Sequence, residues 1–134
     1  MAHFVLDSYA LLAYFRDEAG GKKVEQLLNE AVADKHELHM TCINAGEVYY
    51  MAHRKDGADK ANLVWKALQQ FPIHITEVDM AFTFKAASLK AKYKFSYADA
   101  FAAALTINKK ATLITGDHEF DAVMGEVNFK VKYL

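Results

Sequence analysis

Four acidic residues, Asp7, Glu47, Asp99 and Asp117, stand where the surrounding apolar pattern calls for burial rather than solvent. Asp7 closes a short apolar run, and Asp99 interrupts the alanine-rich stretch around Ala98, Ala100 and Phe101. A carboxylate taken out of water is costly unless it finds a partner. Singly, each has an ordinary explanation. Asp7 can cap a helix opening near Ser8, and Glu47 can answer Asn44 in a capping box. Asp99 can sit in the first turn after a Ser96 cap, and Asp117 can be a turn residue after Gly116. Gathered at one rim, however, four carboxylates raise one another's pKa and call for a cation. Mg²⁺ and Mn²⁺ prefer such oxygen ligands and leave positions open for water and phosphate. The chemistry that fits is phosphodiester hydrolysis, in which the ion polarises the phosphoryl oxygen and activates water, with no nucleophilic side chain required.

The intervening pattern says which elements must hold these residues. His3–Asp7 reads as a strand followed by a helix carrying Tyr9, Leu12, Ala13 and Phe15 on its apolar stripe. After Gly20-Gly21 comes an amphipathic helix with Val24, Leu27, Leu28 and Ala31, and Leu38–Ile43 is strand-sized. Asn44 is placed to cap a helix running to about Lys55, which puts Glu47 in its first turn; Asp56-Gly57 separates this from a helix over 58–70. Pro72 ends that helix, residues 73–78 alternate as a strand, and Asp79 caps a helix to about Tyr93. Ser96 opens a nearly all-apolar helix, residues 111–115 form an interior strand, and residues 128–133 form an edge strand. Strands separated by helices predict a three-layer α/β/α domain with a largely parallel sheet, one domain over residues 1–134. In such sheets ligands bind beyond the carboxyl ends of the strands, near the switch in strand order, which is where Asp7 and Asp117 fall.

Composition excludes several classes. The chain has 134 residues, 53% of them hydrophobic and one of them proline, a profile far from disordered or collagenous chains. Sixteen basic residues against seventeen acidic give a net charge of −1, so any nucleic-acid contact must come from a local patch. Arg16, Lys22, Lys23, Arg54 and Lys55 are the candidates. The single cysteine, Cys42, precludes an internal disulfide and reads as a small buried hydrophobe. With no leader-like segment and no apolar run of membrane-spanning length, the expectation is a cytoplasmic protein without a membrane partner.

Competing chemistry has weak support. There is no glycine-rich phosphate loop, no His-Glu-x-x-His pattern and no cysteine pair. The six histidines are scattered and read as structural or surface residues, with His118, beside Asp117, the one candidate for a phosphate contact. The aromatic group Phe82, Phe84, Tyr93, Phe95, Tyr97 and Phe101 reads as core and helix packing rather than a base-stacking platform. Tyr49, Tyr50, Met51 and Trp65 give two helices more large apolar groups than one small core hides, which predicts a homodimer through helical surface.

The segments VLDSYALLAYF, NAGEVYY, SYADAFAAAL and LITGDHEFD closely resemble the four motifs of PIN-domain ribonucleases, in particular VapC-type toxins. Their order and spacing agree over nearly the whole chain. The resemblance implies a metal-dependent endoribonuclease that uses Mg²⁺ or Mn²⁺, forms a homodimer and is inhibited by a cognate antitoxin. It assigns Asp7, Glu47, Asp99 and Asp117 as the acidic quartet and Ser8 and Thr115 as its hydroxyl companions, with Asp121 peripheral. The alternative is a PIN-fold module that binds RNA or protein without cutting, which the intact quartet disfavours. A receiver-type or phosphatase-type α/β domain would need a second acidic residue beside Asp7 and a late lysine at a strand end. Leu6, Ser8 and Thr115-Gly116-Asp117 fit that poorly.

Overall fold

The computed structural model describes residues 1–134. Five strands, β1 (Ala2–Leu6), β2 (His36–Thr41), β3 (Ile73–Thr76), β4 (Thr112–Thr115) and β5 (Lys130–Tyr133), form one sheet in the order β3-β2-β1-β4-β5. All four pairings are parallel. Six helices cover it: α1 (Ser8–Phe15), α2 (Gly21–Val32), α3 (Cys42–Asp56), α4 (Ala58–Gln70), α5 (Met80–Lys92) and α6 (Tyr97–Lys109). The expected three-layer α/β/α fold with a parallel sheet is what forms. No helix is long and apolar enough to cross a membrane.

Alternation along the strands divides the apolar interior in two. Leu6, Leu38, Met40 and Ile114 face α1 to α4, where they meet Leu11, Val24, Leu28, Val48 and Leu68. Val5 and Leu113 face the other way, against Ala86, Leu89, Phe101, Leu105 and Phe120. The small residues Ala100, Ala102, Ala103 and Ala104 let α6 lie close on the sheet, and all four are buried. Phe82 stacks on Phe101 and Phe95 meets Phe120 edge-on, so most of the aromatic group is packing. Tyr97 packs on the Phe101 ring with centroids 5.0 Å apart although it stays partly open to solvent, and Phe84 alone departs from that expectation, at 62% exposed.

Several local expectations shift. The second strand starts and ends earlier than the apolar run suggested, because Thr41, not Asn44, caps α3: its side chain accepts the Asn44 N–H at 3.0 Å. Asn44 is therefore inside the first turn, where it donates to the Ala98 carbonyl at 3.1 Å and ties α3 to α6. Glu47 moves to the second turn and has no capping role. Cys42, as the first residue of α3, is half-buried rather than buried. A short 3₁₀ helix, His118–Val123, follows β4 where only a turn was expected.

Candidate metal and nuclease centre

β1 is central, and the strand order departs from it in both directions, to β2 and β3 on one side and to β4 and β5 on the other. The switch in order lies between β1 and β4, so the crevice at their carboxyl ends is the expected ligand site. Asp7 follows β1 there, and Thr115, Gly116 and Asp117 end β4 there. An open cleft of about 680 Å³ occupies this position and is lined by Asp7, Glu47, Asp99 and Asp117 together with Ser8, Arg16 and Glu119.

Each carboxylate is held by its own element. Asp7 caps α1: its Oδ1 accepts the Ala10 N–H at 3.0 Å while Oδ2 accepts from the Thr115 hydroxyl, and only 2% of the residue is exposed. Thr115 Oγ1 also accepts the Asp117 N–H at 3.0 Å, so one buried hydroxyl links the ends of β1 and β4. Glu47 accepts from the Ser8 hydroxyl, which joins α3 to α1. Asp99 is the third residue of α6, and its N–H donates to the capping Ser96 side chain at 3.1 Å. Asp117 caps the 3₁₀ helix by accepting the Glu119 N–H at 2.9 Å. Capping and cleft placement thus coexist at Asp7 and Asp117, and first-turn and cleft placement at Asp99; they are not alternatives.

Glu119 was not singled out by sequence reasoning. Its carboxylate oxygen comes within 4.8 Å of oxygens of both Asp99 and Asp117. The signal for it was the Asp-x-Glu spacing at a helix cap, visible only once the 3₁₀ helix is recognised. Gly116 has a steric reason: a Cβ there would fall 2.2 Å from the ring of Tyr9, which packs across the β4 terminus at the cleft edge.

Other candidates lie outside. Asp121 is exposed, accepts from the Tyr133 hydroxyl and stands 3.5 Å from His118 Nδ1. The His118 ring stacks on Tyr133 with centroids 3.9 Å apart, and the residue does not line the cleft. Of the basic candidates only Arg16 lines the cleft. Lys22 and Lys23 open α2, Arg54 lies over the Tyr50 ring at 5.2 Å, and Lys55 is exposed near the end of α3.

The electrostatics reflect crowding of like charge. Burial, reinforced by the charges of Asp99 and Asp117, pushes the Asp7 carboxyl up to about 7 against the bonds from Thr115 and Ala10. Burial, with Asp117 and Glu47 adding to it, pushes Asp99 up to about 6 despite Ser96. Four carboxylates from separate elements line one cleft, and within it Asp99 and Asp117, together with Glu119, bring oxygens within 4.8 Å of one another, a hard donor set suited to a divalent ion, while Asp7 and Glu47 stand further out.

The family model for the PIN domain matches residues 4–126. The chain belongs to the PIN domain family. Among solved structures, this PIN domain is similar to the VapBC2 complex of Rickettsia felis bound to a promoter DNA fragment, with TM-score 0.75 and 15% identity over 98% of each chain. It is also similar to Mycobacterium tuberculosis VapC20, a sarcin-ricin loop cleaving toxin, with TM-score 0.72 and 17% identity over 95% of this chain and 98% of that one. VapBC-1 of nontypeable Haemophilus influenzae gives TM-score 0.69 and 14% identity over 98% and 97% of the two chains. At these identities the likeness is one of fold. No curated protein sequence matches the chain.

The raised carboxyls set a pH dependence. Between the usual carboxylate range near 4 and about 7, the folded chain holds protons that the unfolded chain has released. The metal-free protein should therefore lose stability as pH rises through that window and level off above it. Asp99→Asn, which removes one of the repelling charges, should raise the metal-free melting temperature at pH 8 by about 4 °C, equivalent to about 1 kcal/mol, and flatten the profile. Thermal melts in chelator across pH 4–9 check this; an unchanged profile in the variant would contradict the crowding.

Proposed function

We propose that this PIN domain is a divalent-metal-dependent endoribonuclease that hydrolyses RNA phosphodiester bonds and acts as the toxin of a toxin-antitoxin pair. The observation that carries this reading is the convergence of Asp7, Glu47, Asp99 and Asp117 on one cleft at the switch point of the sheet, with Asp7 and Asp99 raised by burial and by neighbouring charge. These four carboxylates would hold Mg²⁺ or Mn²⁺. When bound, the ion neutralises them and supplies Lewis-acid polarisation of the scissile phosphate.

The chain's own residues do the positioning. The Thr115 hydroxyl and the Ala10 N–H fix both oxygens of Asp7, each of which keeps a further lone pair. Ser8 orients Glu47 from the neighbouring helix, a supporting contact of the kind that tunes a liganding carboxylate. Arg16 is the cation placed to meet a substrate phosphate, since it alone among the basic candidates lines the cleft. Glu119, beside Asp99 and Asp117, gives the rim a further carboxylate to accept from water or extend the ligand set.

The partner reading follows from the same charge. An acidic cleft is matched by a cationic segment, and an arginine can span two carboxylate oxygens while staying charged at any relevant pH. A cognate antitoxin is therefore expected to deliver arginine or lysine to the quartet. A homodimer is proposed through α3 and α4, where Tyr50 and Trp65 remain 46% and 37% exposed while Tyr49 and Met51 are partly covered by the fold. An isologous pairing of this face is the simplest closed arrangement. The localisation proposed is the cytoplasm, where RNA and an antitoxin would be met.

Three measurements test these points. RNA cleavage should require Mg²⁺ or Mn²⁺ and fall by at least about 100-fold in Asp99→Asn with the fold retained, a loss of about 2.7 kcal/mol of transition-state stabilisation. RNA that is bound with metal but never cut by the native chain would instead mark a binding module. Inhibition by an antitoxin peptide should weaken as Mg²⁺ is raised and vanish when its basic residues are replaced. Indifference to both would make the block steric and remote from the carboxylates. Sedimentation at micromolar concentration should give a dimer that Trp65→Glu converts to monomer; a monomeric native chain ends that reading.

A further inference from the structure

At the opposite end of β1 from Asp7, a second set of ligand-type side chains converges. His3 on β1 is the register partner of Glu37 on β2, and His39 lies two residues further along β2, so all three project from the same sheet face. His3 Nδ1 is 3.0 Å from His39 Nε2 and 3.2 Å from Glu37 Oε2, and His39 Nε2 is 3.7 Å from the same Glu37 oxygen. A tetrahedral Zn²⁺ with bonds of about 2.0–2.1 Å requires its ligand atoms to lie about 3.3 Å apart, and the three observed edges bracket that value. Two imidazoles and one carboxylate, with one position left to water, is a donor set suited to zinc and poorly suited to Mg²⁺.

The hydrogen-bonding arithmetic points the same way. Three ligand-type atoms face one another, and with both rings neutral they are joined by a single ring N–H, carried either on His3 Nδ1 or on His39 Nε2. That proton stands where a cation would sit. His39 is 4% exposed, and its polar contacts are made through Nε2 and confined to this group. Burial above all, then the charge of Lys109 and the neighbouring His3 and His74, holds His39 down to about 4 against the pull of Glu37, so the ring is neutral near pH 7. His3 and Glu37 have side chains 35% and 41% exposed, which leaves an entry path from solvent. The remaining buried histidine provides the contrast: His36 is fully accounted for by the Leu27 carbonyl at 2.9 Å and the edge of Phe4.

We propose that His3, Glu37 and His39 form a binding site for a divalent transition-metal ion, Zn²⁺ by the chemistry of its donors, separate from the carboxylate rim. Four residue steps, about 13 Å of extended chain, separate His3 on β1 from Asp7 just beyond its end. The ion would clasp β1 to β2 and add to the stability of the folded sheet.

The test titrates Zn²⁺ calorimetrically into the full chain in excess Mg²⁺, so that the rim competes for the hard ion. One Zn²⁺ per chain is expected, with Co²⁺ in its place giving the intense visible absorption of a tetrahedral site. The affinity should fall at least tenfold in His3→Ala and in Glu37→Gln, persist in Asp99→Asn, and be accompanied by a zinc-dependent rise in melting temperature that both site variants lose. RNA cleavage in Mg²⁺ should be the same in His3→Ala as in the native chain. The two substitutions sit at half-exposed strand positions, so one folded variant suffices. Zinc affinity unmoved by either, or abolished by Asp99→Asn, would place the ion elsewhere and overturn the proposal whatever the outcome of the nuclease assay.

Discussion

Asp7 carries a carboxylate that the fold both buries and requires. It is 2% exposed at the end of the central strand, caps α1 through one oxygen and receives Thr115 through the other. Those two bonds fasten β1, α1 and β4 together at the point where the strand order reverses. Much of the surrounding architecture accommodates this charge. Thr115 is fully buried so that its hydroxyl can serve both Asp7 and the Asp117 N–H. Gly116 lacks a side chain so that Tyr9 can close over the strand end. The burial that makes the junction rigid also raises the carboxyl, which is the tension a divalent ion would relieve.

The parallel sheet turns sequence separation into adjacency. Crossover through α5 and α6 brings β4 back beside β1, so residues more than a hundred positions apart meet as Asp7 and Thr115. Capping geometry then aims the remaining carboxylates: a helix that starts at a strand's carboxyl end presents its first turns to the same rim, as α6 does with Asp99. Glu47 is held differently, by a hydroxyl from α1, because the earlier start of α3 moves it past the first turn. Side chains that serve helix termini are thereby also the side chains of the cleft, so local stability and the proposed chemistry draw on the same atoms.

The two ends of β1 have unlike chemistry. Its carboxyl end gathers hard oxygen donors in an open cleft, the ligand type that the proposed Mg²⁺ or Mn²⁺ would take. Its amino end pairs His3 with Glu37 and His39 across the β1–β2 register, a softer and more compact set.

Much of this was legible in the residues alone. The helices opening at Ser8, Ala58, Met80 and Tyr97 follow from local capping and apolar period, which act over a few residues and need no tertiary context. The quartet stood out because acidic residues in apolar surroundings demand an explanation. Thr41 and Asn44 compete as caps within three residues, and only the packing of Asn44 against the Ala98 carbonyl decides between them. Glu119 depends on the turn of the 3₁₀ helix, and the exclusion of Asp121 and His118 from the cleft depends on Tyr133 from the last strand. The histidines were unreadable for a simpler reason: His3 and His39 are thirty-six residues apart, and strand register, set by the whole sheet, is what brings their nitrogens together.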